Sequence, residues 1–312
     1  MRGDEDAIAP LVAMLLILAA VVTLLSVYNS SYMPQLKEKA EITHLEEVSS
    51  SFKNYVTYIE NSAREKKEGT ISIPVKLGGG DVFLSPGKSG GALYVGDCTT
   101  VISVQNENNT MMNGTVCSLD FGTVGNFWHE RGYSWNYGIV NITEFSKSTP
   151  LSFAGMDDAS DYIENVSGFP GSLVDISFRG GYVPRFDAYG NFTGTSYNCT
   201  AVYVDIVRLK GDPGNNYVSG NGDAVISVDT STSPVVNMTG SRLNFTITDI
   251  NGEGGFMKRA LLKNIESDLC RLKSESFENI FGTGCGDGWC SIECREDVPF
   301  LVKFVDITVG LR

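Results

Sequence analysis

Between Ala7 and Tyr28 the chain reads AIAPLVAMLLILAAVVTLLSVY, without one charged side chain. As a helix rising 1.5 Å per residue, this run spans about 33 Å, against a hydrocarbon core of about 30 Å. It has three possible fates: to cross a bilayer, to act as a secretory signal, or to be buried as a core helix. The apolar region of a signal is only about 7–15 residues long and ends at a small-residue cleavage site. Here the run is longer and passes straight into a second helical pattern, so a retained transmembrane helix over residues 7–28 is expected. Pro10 falls near its first turn, where a missing N–H costs least.

The second pattern covers residues 35–66. Leu45, Val48, Phe52, Tyr55 and Ile59 recur at steps of three and four, marking one face of an amphipathic helix. Pro34 stands between the two segments, which are able to form one long helix with a kink at most. The apolar face needs a partner. It is expected to pack against helices of neighbouring subunits or, at least as readily over its second half, against the chain's own domain.

From Thr70 the period changes to two. Ile71, Ile73, Val75 and Leu77 alternate with polar or neutral residues, as do Thr115, Cys117, Leu119 and Phe121. The same holds for Val174, Ile176 and Phe178, for Val202, Val204 and Ile206, and for Leu243, Phe245 and Ile247. Glycine, asparagine and aspartate turns separate these half-buried strands. One further helix carries Met257, Leu261, Ile265, Leu269 and Leu272 on one face, and PFLVKFVDITVGL reads as a buried closing strand. The expected fold is α+β: a long N-terminal transmembrane and amphipathic helix, then a mainly antiparallel, sandwich-like β head over residues 68–312 with one C-terminal helix.

A formal net charge of −13 over 312 residues argues against nucleic acid as a partner and against docking on anionic lipid through a basic patch. Membrane lipid around the apolar helix is the expected contact. Nine N-x-S/T acceptor sites begin at Asn29, Asn108, Asn113, Asn141, Asn165, Asn191, Asn198, Asn237 and Asn244, all beyond the apolar run. Together they place the head outside the cell as a glycoprotein on a single-pass membrane helix. Of seven cysteines, Cys270, Cys285, Cys290 and Cys294 surround a glycine-rich loop that disulfides are expected to staple. Cys98 with Cys117 makes a second unit, leaving Cys199 as the odd one. A four-thiolate zinc site would need a short C-x-x-C knuckle, which the spacings do not supply.

No set of residues reads as catalytic, and neither a cofactor nor a metal site is expected. Gly87-Lys88-Ser89-Gly90-Gly91 matches GxSxG literally, but a serine nucleophile needs a histidine base. The two histidines are His44, on the amphipathic helix, and His129, too close behind Ser89 for that motif's β/α order. Asp249-Ile-Asn251-Gly-Glu253 offers oxygen ligands without completing a calcium loop. Trp128, Trp135 and Trp289 suit either core filling or stacking on sugars, with core or loop anchoring preferred.

Met1-Arg2-Gly3-Asp4-Glu5-Asp6-Ala7-Ile8-Ala9-Pro10 resembles the class III signal of archaeal type IV pilin-like proteins, in which a basic residue and glycine precede the cleavage point. Ala9-Pro10-Leu11-Val12 is similar to the Ser-Pro-Val found early in many such helices. The resemblance covers about the first 65 residues. It implies that Arg2 and Gly3 are read by a prepilin peptidase, that residues 1–3 form a leader, and that mature protein begins at Asp4. It also implies a pilin-like helix over residues 4–67 and pilin-like subunits as partners. The head is larger than most subunits of that family carry. A minor or filament-associated subunit, structural or adhesive at the cell surface, is therefore expected. An anchored binding module for a solute or polysaccharide is the alternative.

Overall fold

A computed structural model describes residues 5–79, 82, 87–108, 111–124, 130–144, 147–152, 169–248, 256–275 and 277–312. One helical rod runs from Glu5 to Glu65, about 90 Å at 1.5 Å per residue. Its parts α1 (Glu5–Val27) and α2 (Met33–Glu65) are joined by a π-helical turn, Tyr28–Tyr32. Pro34 explains the turn: it has no N–H to donate to Ser30, and its ring crowds the carbonyl there. Widening the preceding turn, so that the Met33 N–H reaches back to the Tyr28 carbonyl, lets the helix continue. The rod stops at Lys66, whose left-handed φ of 53° turns the chain while its N–H still bonds the Ser62 carbonyl at 3.0 Å.

The head is built on thirteen strands among the described residues. The first six are β1 (Gly69–Lys76), β2 (Gly90–Asn106), β3 (Met111–Val124), β4 (Arg131–Asn136), β5 (Ile139–Glu144) and β6 (Lys147–Pro150). After a one-turn helix α3 (Phe169–Ser172) come β7 (Val174–Phe186), β8 (Phe192–Gly211), β9 (Tyr217–Gly220), β10 (Asp223–Thr232) and β11 (Val236–Ile247). Helix α4 (Phe256–Ser274) precedes β12 (Ile280–Gly286) and β13 (Trp289–Leu311).

Strand β13 is shared by two layers. Its C-terminal part pairs with β10 on one edge and, in the one parallel pairing, with β8 on the other. Its N-terminal part pairs with β11 and β12 on those same two edges. The register against β11 slips between Gly240 and Arg242, where β13 advances from Val298 back to Glu293, so the strand bends there and passes from one layer to the other. One layer is β1-β10-β13-β8-β7; the other is β12-β13-β11-β2-β3-β4-β5-β6. The layers touch where Gly114 of β3 meets β8, so closely that a Cβ on Gly114 would lie 2.7 Å from Ile206 Cγ2. The expected α+β, mainly antiparallel sandwich is thus the architecture found.

Helix α2 closes the gap between the two layers. It lies along β1, with Ser51 Oγ donating to the Pro74 carbonyl at 2.9 Å and His44 Nε2 2.8 Å from the Lys76 carbonyl. On its other flank Tyr55 meets Trp135 of β4 edge-to-face at 5.4 Å, Phe52 meets the Tyr133 ring at 5.8 Å, and Tyr133 Oη donates to the Leu45 carbonyl. Leu45, Val48, Phe52, Tyr55 and Ile59 are all buried in the head's single core. The expectation that this stripe faces neighbouring subunits is therefore corrected: it faces its own head. The two sheets leave an apolar slot between β1 and β4, and the helix that fills it must be apolar on that side. Fully burying one such side chain contributes about 1.5–3 kcal/mol.

Candidate functional site

The helical rod changes character at the π turn. From Pro10 to Val27 every residue is exposed, and this is the described helix long and apolar enough to cross a membrane. Thr23, a polar residue toward its C-terminal end, satisfies its hydroxyl internally by donating to the Ala19 carbonyl at 2.7 Å. Tyr28 and Tyr32, with ring centroids 5.7 Å apart, stand where the apolar run ends, the position amphipathic rings take at a bilayer surface. Met33 is the first buried side chain, and Lys37, Glu41 and His44 follow it into the head. The head therefore begins within about a turn of the apolar boundary. Arg2, Gly3 and Asp4 lie outside the described residues.

Cys98 and Cys117, opposite each other on β2 and β3, form a disulfide as expected. The second joins Cys285 to Cys290 across the β12–β13 turn. Cys270 and Cys294, expected in the same staple, are free thiols in this structure. Cys270 is exposed because Leu261, Ile265, Leu269 and Leu272 set the buried face of α4, and its neighbour Leu269 already occupies that face. Cys294 and Cys199 are buried beside one another, with Asn279 bonding both the N–H and the carbonyl of Cys199. Burial pushes their thiols up, to about 11 for Cys199 and, with the nearby Cys199 adding to it, about 12 for Cys294.

Among the acceptor sites, Asn29, Asn108, Asn113, Asn191 and Asn237 are exposed. Asn141, Asn198 and Asn244 are half-buried, and the Oδ1 atoms of Asn141 and Asn198 are shut away from solvent. Asn165 lies outside the described residues, as do Trp128, His129 and the 249–253 acidic turn. Trp135 is fully buried against Tyr55 and Phe169, so it is a core residue rather than a platform for sugars. Ser89 is buried, and its hydroxyl donates to the Gly79 carbonyl at 2.8 Å, tying the GxSxG-like turn to the end of β1.

A cleft of about 580 Å³ opens at the far end of α2, between the helix terminus, α3, the start of β7 and α4. Its charged groups hold one another. Lys66 Nζ donates to Asp175 Oδ2 at 2.9 Å and to Asp205 Oδ2 at 3.2 Å. On α4, Asp268 accepts the Ile176 N–H at 3.1 Å, and Arg271 donates to the Ile176 carbonyl at 2.8 Å. The β7–β8 edge of one layer is latched here to the end of α2 and to α4. Asn264, Ser267 and Ser172 add neutral donors and acceptors to the wall, a lining suited to a small polar molecule.

Burial pushes the Asp268 carboxyl above the usual carboxylate range, against the lowering effect of its bond from Ile176. The folded chain then holds this proton more tightly than the unfolded chain. Its contribution to stability is fully present below the unfolded pKa, near 3.9, and is lost as pH rises through the folded pKa. Asp268→Asn keeps an oxygen for the Ile176 N–H and cannot ionise. The variant is expected to lose less stability than wild type on going from pH 4 to pH 7, measured by urea unfolding at a series of pH values. Parallel pH profiles would show that Asp268 is not held above its ordinary range.

The sequence reading passed over the segment joining β7 to β8, YVPRFDAYGNFTGTSY, which the structure turns into an exposed aromatic hairpin. Its signal was available: aromatic residues on both sides of an Asp-Ala-Tyr-Gly-Asn turn, with almost no aliphatic residue among them. No known protein family, no curated protein sequence and no solved structure matches this chain.

Proposed function

We propose that this chain is a single-pass, membrane-anchored cell-surface protein of pilin-like type, structural or adhesive, with its β head outside the cell. The observation that carries the reading is the division of one rigid rod at Tyr28–Tyr32. One half is apolar and bare of any partner within the described chain; the other is built into the head's core. A helix made this way couples the head to whatever receives the bare half, either lipid or a bundle of like helices. Any bundle contact then falls on α1 and not on the Phe52 stripe. The basic-glycine leader and the acidic step before the apolar run agree with processing by a prepilin peptidase between Gly3 and Asp4. The acceptor sites, five of them exposed, agree with an extracellular, glycosylated head.

Intact-mass measurement of the native protein tests the reading. The expected mass is that of a chain starting at Asp4, plus any glycans. Gly3→Val should leave the leader uncut, because its branched side chain crowds a peptidase site that accepts a bare backbone. A mature start beyond the apolar run would mean ordinary secretion and end both the anchor and the pilin-like reading.

A further inference from the structure

Strand β8 pairs with β13 from Val202 to Gly211, but with β7 it continues outward as far as the Phe186–Phe192 pair. Beyond Val202 the β8 edge is held by Asn279 at Cys199 and by the Glu278 N–H at the Tyr197 carbonyl. Past Tyr197 the two strands run on as a two-stranded ribbon, about 17 Å long at 3.3 Å per residue. The registers fix its direction. Lys76 of β1 lies beside His44 near the start of α2, and it pairs with Asp223 of β10. Passing through β10 and β13, the same end of the sheet carries Leu311, while Phe300 and Val202 lie at the opposite end. The ribbon points away from the α1 end of the head.

One stripe of this ribbon is aromatic. Tyr182 opposes Tyr197 with ring centroids 5.2 Å apart, and Phe186 opposes Phe192 at 6.1 Å. Between them stand Pro184 and Thr195, also opposite one another. Tyr197 roots the stripe, half-buried against the core and stacked on Phe277 at 5.1 Å. The other rings are bare: Tyr182 is 76 % exposed, Phe186 and Phe192 are each 61 % exposed, and Tyr189 at the tip is 91 % exposed. The tip holds a defined shape. Asp187 Oδ1 accepts the N–H groups of Tyr189 and Asn191, both at 2.9 Å, and Gly190 takes the positive φ of 83° that closes the turn. Those bonds hold the Asp187 carboxyl below the usual range.

Charge and size select the partner. On a chain of net charge −13, the ribbon from Gly180 to Asn198 carries one cation, Arg185, paired with Glu278, and one anion, Asp187. The partner it suits is uncharged. From Tyr182 to Phe186 the stripe is about 13 Å long and two strands wide, on the order of 200 Å². A stable protein–protein contact takes about 800 Å² from each partner. Strand addition is also blocked, since Pro184 has no N–H to offer and the ladder slips at Arg179/Gly180 and at Arg185/Phe186. What fits is a narrow, neutral thread with apolar faces and hydroxyl edges. The C–H faces of sugar rings lie flat on the negative faces of aromatic rings, and Thr195 stands between the ring pairs to meet hydroxyls.

We propose that the β7–β8 ribbon is a carbohydrate-contact element, binding uncharged polysaccharide along the stripe of Tyr182, Phe186 and Phe192. This names a substrate class for the adhesive side of the function proposed above. The test is kept independent of anchoring by using the purified full chain in a detergent without sugar groups. Migration is followed through native gels containing neutral β-glucan, xylan or galactomannan, with alginate as an anionic control. Wild type is expected to be retarded by at least one neutral polymer, equally at low and high salt, and not by alginate. The Tyr182→Ala/Phe186→Ala double variant is expected to weaken retardation at least tenfold with unchanged thermal stability, while Phe186→Tyr retains it. Retardation by none of the neutral polymers, or retardation indifferent to the double variant, would overturn the assignment. Self-association in sedimentation that disappears with the same double variant would also overturn it, giving the stripe to a second copy. Neither result touches the anchor, which is read separately from membrane partitioning and intact mass.

Discussion

Phe52→Asp, made in a soluble chain that begins at Met33, is expected to lower the stability of the head by about 5 kcal/mol or more. Phe52 is fully buried and packs on Tyr133 in the slot between the layers. Removing a buried Phe side chain alone costs about 3–5 kcal/mol. An aspartate adds a carboxylate with no cation provided for it, so the site must take up a proton, admit water or open. In a head of this size the midpoint should fall on the order of 10–20 °C, with Phe52→Leu close to wild type. Thermal and urea unfolding followed by near-ultraviolet circular dichroism are the measurements. A variant head as stable as wild type would mean that the stripe serves contacts between chains, as its spacing alone suggests.

Two truncations separate the roles of the rod's halves. Among residues 10–32 a chain starting at Met33 loses exposed side chains and the half-buried Tyr28, so its head should unfold within about 0.5 kcal/mol of the full-length head. It should also move from the membrane fraction to the aqueous one, since nothing else among the described residues is long and apolar enough to cross a bilayer. A chain starting at Gly69 keeps every strand but loses Leu45, Val48, Phe52, Tyr55 and Ile59 from the core and uncovers Trp135. Five such side chains at about 1.5–3 kcal/mol each match the 5–15 kcal/mol by which a domain is stable. That fragment is expected to aggregate or to unfold without a cooperative transition, even when made in an oxidising compartment. A cooperative transition in the Gly69 fragment would show that α2 is an accessory to the head and not part of its core.

The local elements were legible because their signals are local. An uncharged run of apolar residues cannot be hidden in so small a head, and α1 lies bare as its composition demands. The period-two stretches at Ile71–Leu77, Cys117–Phe121, Val202–Ile206 and Leu243–Ile247 became β1, β3, β8 and β11, with their apolar members inward. Cys98 and Cys117 paired as spacing suggested, since a short hairpin brings them into register.

What periodicity cannot supply is the identity of the surface across from a face. Leu45, Val48, Phe52, Tyr55 and Ile59 announce that something apolar covers them. That the cover is β1 and β4 of the same chain follows only from the slot left between two layers, which pairings distant in sequence create. Cys270 failed to join its neighbours because the turn of α4 carries it outward, and a count of cysteines carries no such direction. The reach of the β7–β8 ribbon depends on where β13 stops pairing with β8, a matter of register between strands about a hundred residues apart. By itself the sequence determined which segments are helix and strand and which faces must be covered, because those depend on neighbours within a few positions. The tertiary structure alone decided what covers each face and which aromatic rings are left bare, because burial is settled only when the distant strands have met.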